Sequence, residues 1–493
     1  MEGAMEPLTT DIAIIGAGVS GACIARQLSA YETDVTLLEK EVDVSFGVSK
    51  ANSGIIHGGF HHSPRYLKTR LEIQGNLMFD RLQRELDFPF SRCGILVVAM
   101  NEEEMKYISH LYTQGVENGA IGIEMCSRER MFELEPKLDS DCVGGLHAPG
   151  GGVIEPYRFV FSLVESARKN GVKLMTGFNV TSAEWTGDKH RIHAVDGRVV
   201  EARWVVNAAG LQADTVSRIF GGEDFTVHPR KGEYYLLDRK TKVCPQRVLF
   251  PVPTRVSKGM LVIPTAEGTV LIGPTAVDIE DKEDLSTNED QLSQILDQAR
   301  KMVPGVSRTD IIAAFSGLRP ALEDPDFYID ISGKAPNLIQ VAGIQSPGLT
   351  ASPAIGEYVK DLLKKAGCRL TEKADYDPYV TKMPRIRDYT PFEAEELLAS
   401  NPAYGNLVCR CEKISEAEIV EAIRRGHTTL DGIKYFTRAQ MGRCQGGFCS
   451  YKIIKLIMRE TGLRYDRITK RGPGSEILTG SLEENPREVA HHA

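Results

Sequence analysis

Hydrophobic and polar positions change period several times along this chain, and each change marks an element. Residues 11–15, DIAII, form a short apolar run of strand character that stops at Gly16. A helical stretch continues through Leu28, and Val35 to Leu38 form a second apolar run closed by Glu39. Farther on, WVVNAAG at 204–210 reads as a buried strand running into small residues. VAGIQSPGLTASPAIGEYVKDLL at 341–363 reads as strand, glycine-containing loop and helix. Residues from about 76 to 150 and 215 to 310 are richer in two-residue alternation, as in KGEYYLLD at 231–238 and GMLVIPTAEGTVLIG at 259–273, which predicts a mainly antiparallel sheet. Between Tyr376 and Tyr404 a stretch with several prolines and charges reads as a linker with one short helix. Beyond it, Ser415-Glu416-Ala417-Glu418 is a capping box that starts a helix through Arg425. Two more helices are predicted, Thr429 to Phe436 and Tyr451 to Thr461.

The first strand and helix are joined by Gly16-x-Gly18-x-x-Gly21. Gly16 permits a tight turn, Gly18 lets backbone approach a pyrophosphate, and Gly21 allows the helix to pack on the strand. The helix N-terminus offers N–H groups and partial positive charge to that pyrophosphate. Glu39 can accept hydrogen bonds from a ribose, and its charge disfavours a 2′-phosphate. Strand, turn, helix and acid together predict a dinucleotide site. The triplet does not distinguish NAD from FAD.

Composition narrows the classes. At 493 residues the chain predicts about three domains. A formal net charge of −8 provides no overall basic surface for nucleic acid. The longest apolar runs, such as ILVVAM at 95–100, are far shorter than a membrane span, so at most peripheral membrane association is expected. The opening MEGAMEPLTT lacks a basic start and an apolar stretch, which predicts no secretory signal and a cytoplasmic protein. Cys23, Cys93, Cys126, Cys142, Cys244 and Cys368 show no paired spacing and read as small, mostly buried hydrophobes. Cys409-x-Cys411 and Cys444-x4-Cys449 differ, for both pairs are predicted at helix starts, where thiolates are stabilised. A disulfide across one residue would be strained. Spacing leaves zinc and an iron-sulfur cluster open, since both accept four thiolates.

The segments around the glycine triplet, ANSGIIHGG at 51–59, WVVNAAG and VAGIQSPGLT resemble those of glutathione-reductase-like flavoproteins and their D-amino-acid-oxidase-like branch. The resemblance implies an α/β fold with FAD as the dinucleotide. A Rossmann-like FAD-binding domain is expected over 9–75, 150–214 and 311–370, and a mainly antiparallel substrate domain over 76–149 and 215–310. It places Gly16, Gly18, Ser20, Gly21, Glu39, Lys40, Ser49, Asn52, Ser53, Val180, Ala209 and Gly210 against the cofactor. Gly348, Leu349 and Thr350 fall at the flavin pyrimidine end, where helix N–H groups stabilise the reduced anion. The order of segments is similar to FAD-dependent glycerol-3-phosphate dehydrogenases and L-2-hydroxyglutarate dehydrogenases. Both oxidise a secondary alcohol by passing hydride to flavin. By that resemblance His57 lies beside the flavin, Arg319 of FSGLRPALEDPD lines the substrate pocket, and Tyr234 of KGEYY matches the hydroxyglutarate enzymes. Phe60, His61 and His62 match neither pattern. Arg65, Lys68, His228, Arg230 and Lys231 add basic groups that favour a small anionic alcohol substrate.

Residues 405–467 are similar to the bacterioferritin-associated-ferredoxin-like domain, and TRAQMGRCQGGFC matches the form fused to anaerobic glycerol-3-phosphate dehydrogenase large subunits. That implies a small helical domain in which Cys409, Cys411, Cys444 and Cys449 hold a 2Fe-2S cluster, with 371–404 as linker and 468–493 as polar tail. A one-electron carrier beside a flavin implies a partner that accepts the electrons, such as a flavoprotein or a quinone-linked subunit. A subunit that only transfers electrons and oxidises no substrate is the alternative of another class.

Overall fold

The computed structural model describes residues 6–253, 259–478 and 480. It divides into two compact units, Met1–Thr381 and Lys382–Ala493.

The first unit is built on two sheets. In the eight-stranded sheet, Leu8–Ile15 lies between Val35–Leu38 and Val199–Asn207, parallel to both, with Ile12 opposite Val35 on one side and Trp204 on the other. Lys173–Met175 extends this parallel array beside Val35–Leu38, and Leu338–Ala342 joins Val199–Asn207. All four residues of Val35–Leu38 are buried, as a parallel strand covered on both faces requires. Helix Val19–Leu28 follows the first strand, and a Cβ on Gly356 of helix Gly348–Lys365 would come within 2.9 Å of the Cys23 carbonyl oxygen. That closeness sets how tightly these two helices pack.

The second sheet has nine strands, most of them antiparallel, with Ile95–Ala99 and Val248–Pro251 paired in parallel. Its longest pairing joins His228–Leu237 to Ile311–Ala321, in register from His228 opposite Ala321 to Leu237 opposite Ile311. The strand at 311–321, expected in the FAD domain, therefore belongs to the second sheet. Within 76–149, where alternation predicted strands, helices Leu67–Glu85, Glu102–Asn118 and Arg128–Leu134 occupy much of the chain. Asn101 caps the second of these, its side chain accepting from the Glu104 N–H, and Glu102, Glu103 and Glu104 crowd the positive end.

The expected linker is not a free tether. Residues 371–381 lie on the first unit, where the Asn170 side chain donates to the Asp377 carbonyl and accepts from its N–H. Residues from Lys382 belong to the second unit, which contains helix Pro391–Ser400 with a capping box at Thr390 and Glu393. The predicted capping box at Ser415 and Glu418 is present and opens helix Glu416–Arg424. Helices Leu430–Thr437 and Ser450–Thr461 complete this unit. The start of the expected tail is packed: Ile468 is buried, and the Thr469 and Lys470 carbonyls accept from the N–H groups of Leu430 and Asp431. Residues 479 and 481–493 of that tail lie outside the described residues. Among the described residues no helix is long and apolar enough to cross a membrane.

Candidate active site and thiol cluster

The glycine turn is shaped for close approach. Gly16 has φ +104°, and a Cβ there would meet the Ala208 carbonyl oxygen at 2.5 Å, so the turn presses on the loop that carries Ala209 and Gly210. A Cβ on Gly21 would fall 1.9 Å from the Gly16 carbonyl oxygen. Gly18 is the extended cap of helix Val19–Leu28, and Ser49 Oγ accepts from the Val19 N–H at 2.9 Å. Ser20 is buried in the same helix. Glu39, buried at the end of the second strand, accepts from the Ala17 N–H at 2.7 Å and the Glu41 N–H at 2.9 Å. Burial pushes its carboxyl above the usual range, against those two hydrogen bonds. Lys40 is exposed and 3.3 Å from Glu41. Val180 follows Phe178, whose N–H donates to the Glu39 carbonyl at 2.8 Å. Glycines that leave room along the turn, and a buried acid at the strand end, suit the diphosphate and ribose of a dinucleotide.

Between Ser49 and Gly54 the chain folds on itself: Asn52 donates to the Ser49 carbonyl at 2.8 Å and accepts from the Gly54 N–H at 2.8 Å. The second sheet lies directly against this loop, because a Cβ on Gly317 would meet the Ala51 carbonyl oxygen at 1.9 Å. Gly317 is opposite Gly232, and the same pair of strands carries Arg319 and Tyr234. A Cβ on Gly232 would meet Arg319 Nη2 at 2.5 Å, so glycine makes room for the guanidinium, which donates to the Thr275 carbonyl at 3.0 Å. The Tyr234 ring stacks on Phe315 with centroids 4.9 Å apart. Burial pushes its phenol above the usual range, while hydrogen bonds with Arg319 and Ser53 pull the other way. The structure thus brings Ser53, Tyr234 and Arg319 together.

His57 is buried and tied to helix Gly348–Lys365 and the loop before it. Its N–H donates to Thr350 Oγ1 at 2.9 Å, its carbonyl accepts from Asn76 at 2.6 Å, and Ser346 Oγ lies 3.1 Å from Nε2. Gly348 opens the helix that carries Leu349 and Thr350. The His61 ring is tilted against Phe60 with centroids 4.3 Å apart and against Phe250 at 5.0 Å, and lies 5.8 Å from His57. Most of the other expected basic groups have local partners: Arg230 pairs with Asp278 at 2.6 Å, Lys231 with Asp284 at 2.6 Å, and Lys68 donates to the Pro325 carbonyl at 2.5 Å. Arg65 donates to the Tyr66 hydroxyl at 2.6 Å. Sequence reasoning missed Asn76, Thr275, Phe315 and Ser346. Asn76 left one signal, a polar residue on the buried side of an amphipathic helix.

In the second unit the four thiols stand as two pairs. Cys411 Sγ donates to Cys444 Sγ at 3.6 Å, and Cys449 donates to Cys409. That hydrogen bond pulls the Cys409 thiol down to about 6, against its burial. Two thiolates on one tetrahedral metal, with bonds of about 2.3 Å, lie roughly 3.8 Å apart, so the Cys411–Cys444 pair has the spacing of a single-metal site. Two thiol pairs supply the four sulfur ligands that a 2Fe-2S cluster takes. Only Cys449 stands at a helix start, as the cap of Ser450–Thr461; Cys409 ends a strand, and Cys411 and Cys444 lie in turns. The expectation of both pairs at helix starts is corrected here, because a turn separates Cys411 from the capping box. Of the other cysteines, Cys23, Cys126 and Cys142 are buried and Cys93, Cys244 and Cys368 are half-buried.

A parallel sheet with a glycine turn beside a buried acid forms a dinucleotide site, and an antiparallel sheet lies against it. Residues 11–362 match the family described as FAD dependent oxidoreductase, and residues 407–459 match the BFD-like [2Fe-2S] binding domain. The chain belongs to the FAD dependent oxidoreductase family, and its cofactors are FAD and a 2Fe-2S cluster. It is 42% identical over 472 residues to glycerol 3-phosphate dehydrogenase of Caloramator mitchellensis, covering 95% of this chain and 98% of that one. L-2-hydroxyglutarate dehydrogenase of Arabidopsis thaliana is 27% identical over 71% of this chain and 82% of its own length. Among solved structures, dithionite-reduced L-alpha-glycerophosphate oxidase from Mycoplasma pneumoniae with FAD bound superposes with a TM-score of 0.73 at 30% identity, over 77% of this chain and 100% of that one.

Proposed function

We propose that this protein oxidises sn-glycerol 3-phosphate to dihydroxyacetone phosphate and delivers the electrons through its C-terminal thiol cluster to a separate acceptor. The observation that carries the reading is Arg319, fitted over Gly232 and hydrogen-bonded with Tyr234, on the sheet face that meets the Ala51–Ser53 loop. A guanidinium there offers paired donors to phosphate oxygens, and the Tyr234 hydroxyl adds a donor beside it. His57, held by Thr350 and Asn76, takes the alcohol proton at Nε2, whose present neighbour is Ser346 Oγ. The buried ring of Phe250 and the Tyr234–Phe315 stack keep water from the reacting carbon. FAD, held by the Gly16–Gly21 turn and Glu39, would supply the hydride acceptor, and a 2Fe-2S cluster held by Cys409, Cys411, Cys444 and Cys449 would supply a one-electron outlet. Similarity to a glycerol 3-phosphate dehydrogenase over 95% of the chain, cluster region included, supports the same substrate.

A substrate panel tests this. With an artificial acceptor, sn-glycerol 3-phosphate is expected to give the highest kcat/KM, with glycerol inert for lack of an anion to meet Arg319. A higher value for L-2-hydroxyglutarate would move the protein to the hydroxy-acid dehydrogenases, which the KGEYY stretch around Tyr234 resembles. Activity with no alcohol in the panel would favour the electron-transfer subunit.

A further inference from the structure

The Cys411–Cys444 pair, exposed at Cys411 and half-buried at Cys444, sits in an uneven charge environment. Across residues 405–415 and 438–456 there are six cations, Arg410, Lys413, Arg438, Arg443, Lys452 and Lys455, and a single carboxylate, Glu412. Glu412 is buried and already paired, with Arg438 at 3.1 Å and Arg387 at 3.5 Å. The other five cations are exposed and flank the thiols in sequence: Arg410 and Lys413 beside Cys411, Arg443 beside Cys444, and Lys452 and Lys455 in the first two turns after Cys449. The chain as a whole carries a net charge of −8, so this collar opposes the average of the molecule. Within it stand two exposed aromatic rings, Phe448 at 84% and Tyr451 at 64% exposure. Lys455 lies over the Tyr451 ring at 4.5 Å, which spreads the positive charge across an apolar surface. Phe448 belongs to the turn that carries Cys444 and Cys449, where an exposed large apolar side chain has no packing duty.

We infer that this collar is the docking face for a small acidic protein carrying a one-electron acceptor, with Phe448 as the apolar anchor and the cations as steering charges. The inference rests on the reading that electrons leave through the C-terminal thiols. It adds the character of the partner: a surface rich in Asp and Glu around an exposed redox group. Electron balance fits such a carrier. One alcohol oxidised to a ketone releases two electrons and two protons; two carrier molecules each take one electron in successive encounters, and the protons pass to solvent. Successive encounters call for fast, weak, salt-sensitive binding, which charge steering around a small apolar centre provides.

The probe is cytochrome b5, an acidic one-electron carrier, with basic cytochrome c as its counterpart, tested against the holoenzyme with FAD and cluster in place. Binding of oxidised cytochrome b5 to immobilised holoenzyme is expected at low salt and should weaken about tenfold or more between roughly 20 and 200 mM salt. Cytochrome c should not bind measurably. Lys452→Glu with Lys455→Glu should weaken cytochrome b5 binding about tenfold, and Phe448→Ser should weaken it without changing the salt slope. Visible absorption of the cluster checks that each variant stays loaded; should assembly fail in one, the salt dependence and cytochrome preference of the wild type decide. Equal binding of the two cytochromes, or no effect of charge reversal in a loaded variant, overturns the inference. So does tighter binding to phosphatidylserine vesicles than to cytochrome b5, which would assign the face to a membrane. Failure of substrate to reduce the cluster, with cytochrome b5 binding intact, would instead strike the exit route on which the inference rests.

Discussion

Arg319 and Gly317 show how much single positions decide. Arg319→Lys keeps the charge but loses the planar fork, so kcat/KM for sn-glycerol 3-phosphate should fall by one to two powers of ten, corresponding to about 1.5 to 3 kcal/mol. FAD content should stay at the wild-type level, and unchanged kinetics would remove Arg319 from the pocket. Gly317→Ala tests a different contact. Its Cβ would land 1.9 Å from the Ala51 carbonyl oxygen, so the loop carrying Asn52 and Ser53 must move, at a cost of about 1 to 3 kcal/mol. FAD content on purification should drop, with thermal stability falling alongside; a fully loaded variant would show that the loop tolerates the shift. The residues readable from sequence were those whose duty is local. Gly16, Gly18, Gly21 and Glu39 lie within one strand-turn-helix-strand unit, so spacing alone predicted the tight turn and the acid at the strand end that the structure shows. Thr275 and Phe315 were silent because their roles come from strand pairing: Phe315 meets Tyr234 only through the register of two strands about 80 residues apart in the chain.

At the scale of elements, a buried carboxylate on the helix after one sheet pairs with a partly exposed lysine in the segment after a strand of the other. Asp214, 3% exposed in helix Ala213–Ile219, receives Lys282 at 2.7 Å on both oxygens and the Val227 N–H at 3.1 Å. Burial alone would raise its carboxyl, but Lys282 and the backbone donors outweigh it and hold it below the usual range. For a depressed acid, the stabilisation is present above the unfolded value near 3.9 and is lost as pH falls through the lower folded value. Lys282→Met should therefore destabilise the neutral protein by about 1 to 3 kcal/mol, less than for a fully buried pair because Lys282 is partly open to solvent. The gap between variant and wild type should narrow as pH falls from the unfolded value through the lower folded value, where Asp214 takes up its proton. Denaturant melts at neutral and acid pH measure this, and a gap that is constant with pH would contradict it. Helices announced themselves in the sequence through caps, as at Ser415, whereas residues 76–149 misled because apolar alternation in edge segments outweighed the helical period of Glu102–Asn118. Strand Ile311–Ala321 could not be placed by pattern, since partner choice between two sheets depends on long-range pairing.

For the whole molecule, the account divides labour between two units: one oxidises the alcohol, and the other sends the electrons out. Cys411→Ser with Cys444→Ser removes one thiol pair and should abolish the cluster while leaving Arg319, Tyr234 and His57 as they are. Substrate should still bleach the flavin in a single turnover, but turnover with a one-electron protein acceptor should collapse. Unchanged turnover would show that electrons leave from the flavin directly. The most direct measurement is anaerobic rapid mixing of the wild-type holoenzyme with sn-glycerol 3-phosphate, following flavin absorbance and the electron paramagnetic resonance of the cluster in the same reaction. The account predicts flavin bleaching first and a reduced-cluster signal after it, with neither produced by glycerol. A flavin that stays oxidised, or a bleached flavin beside a cluster that never becomes reduced, would contradict it.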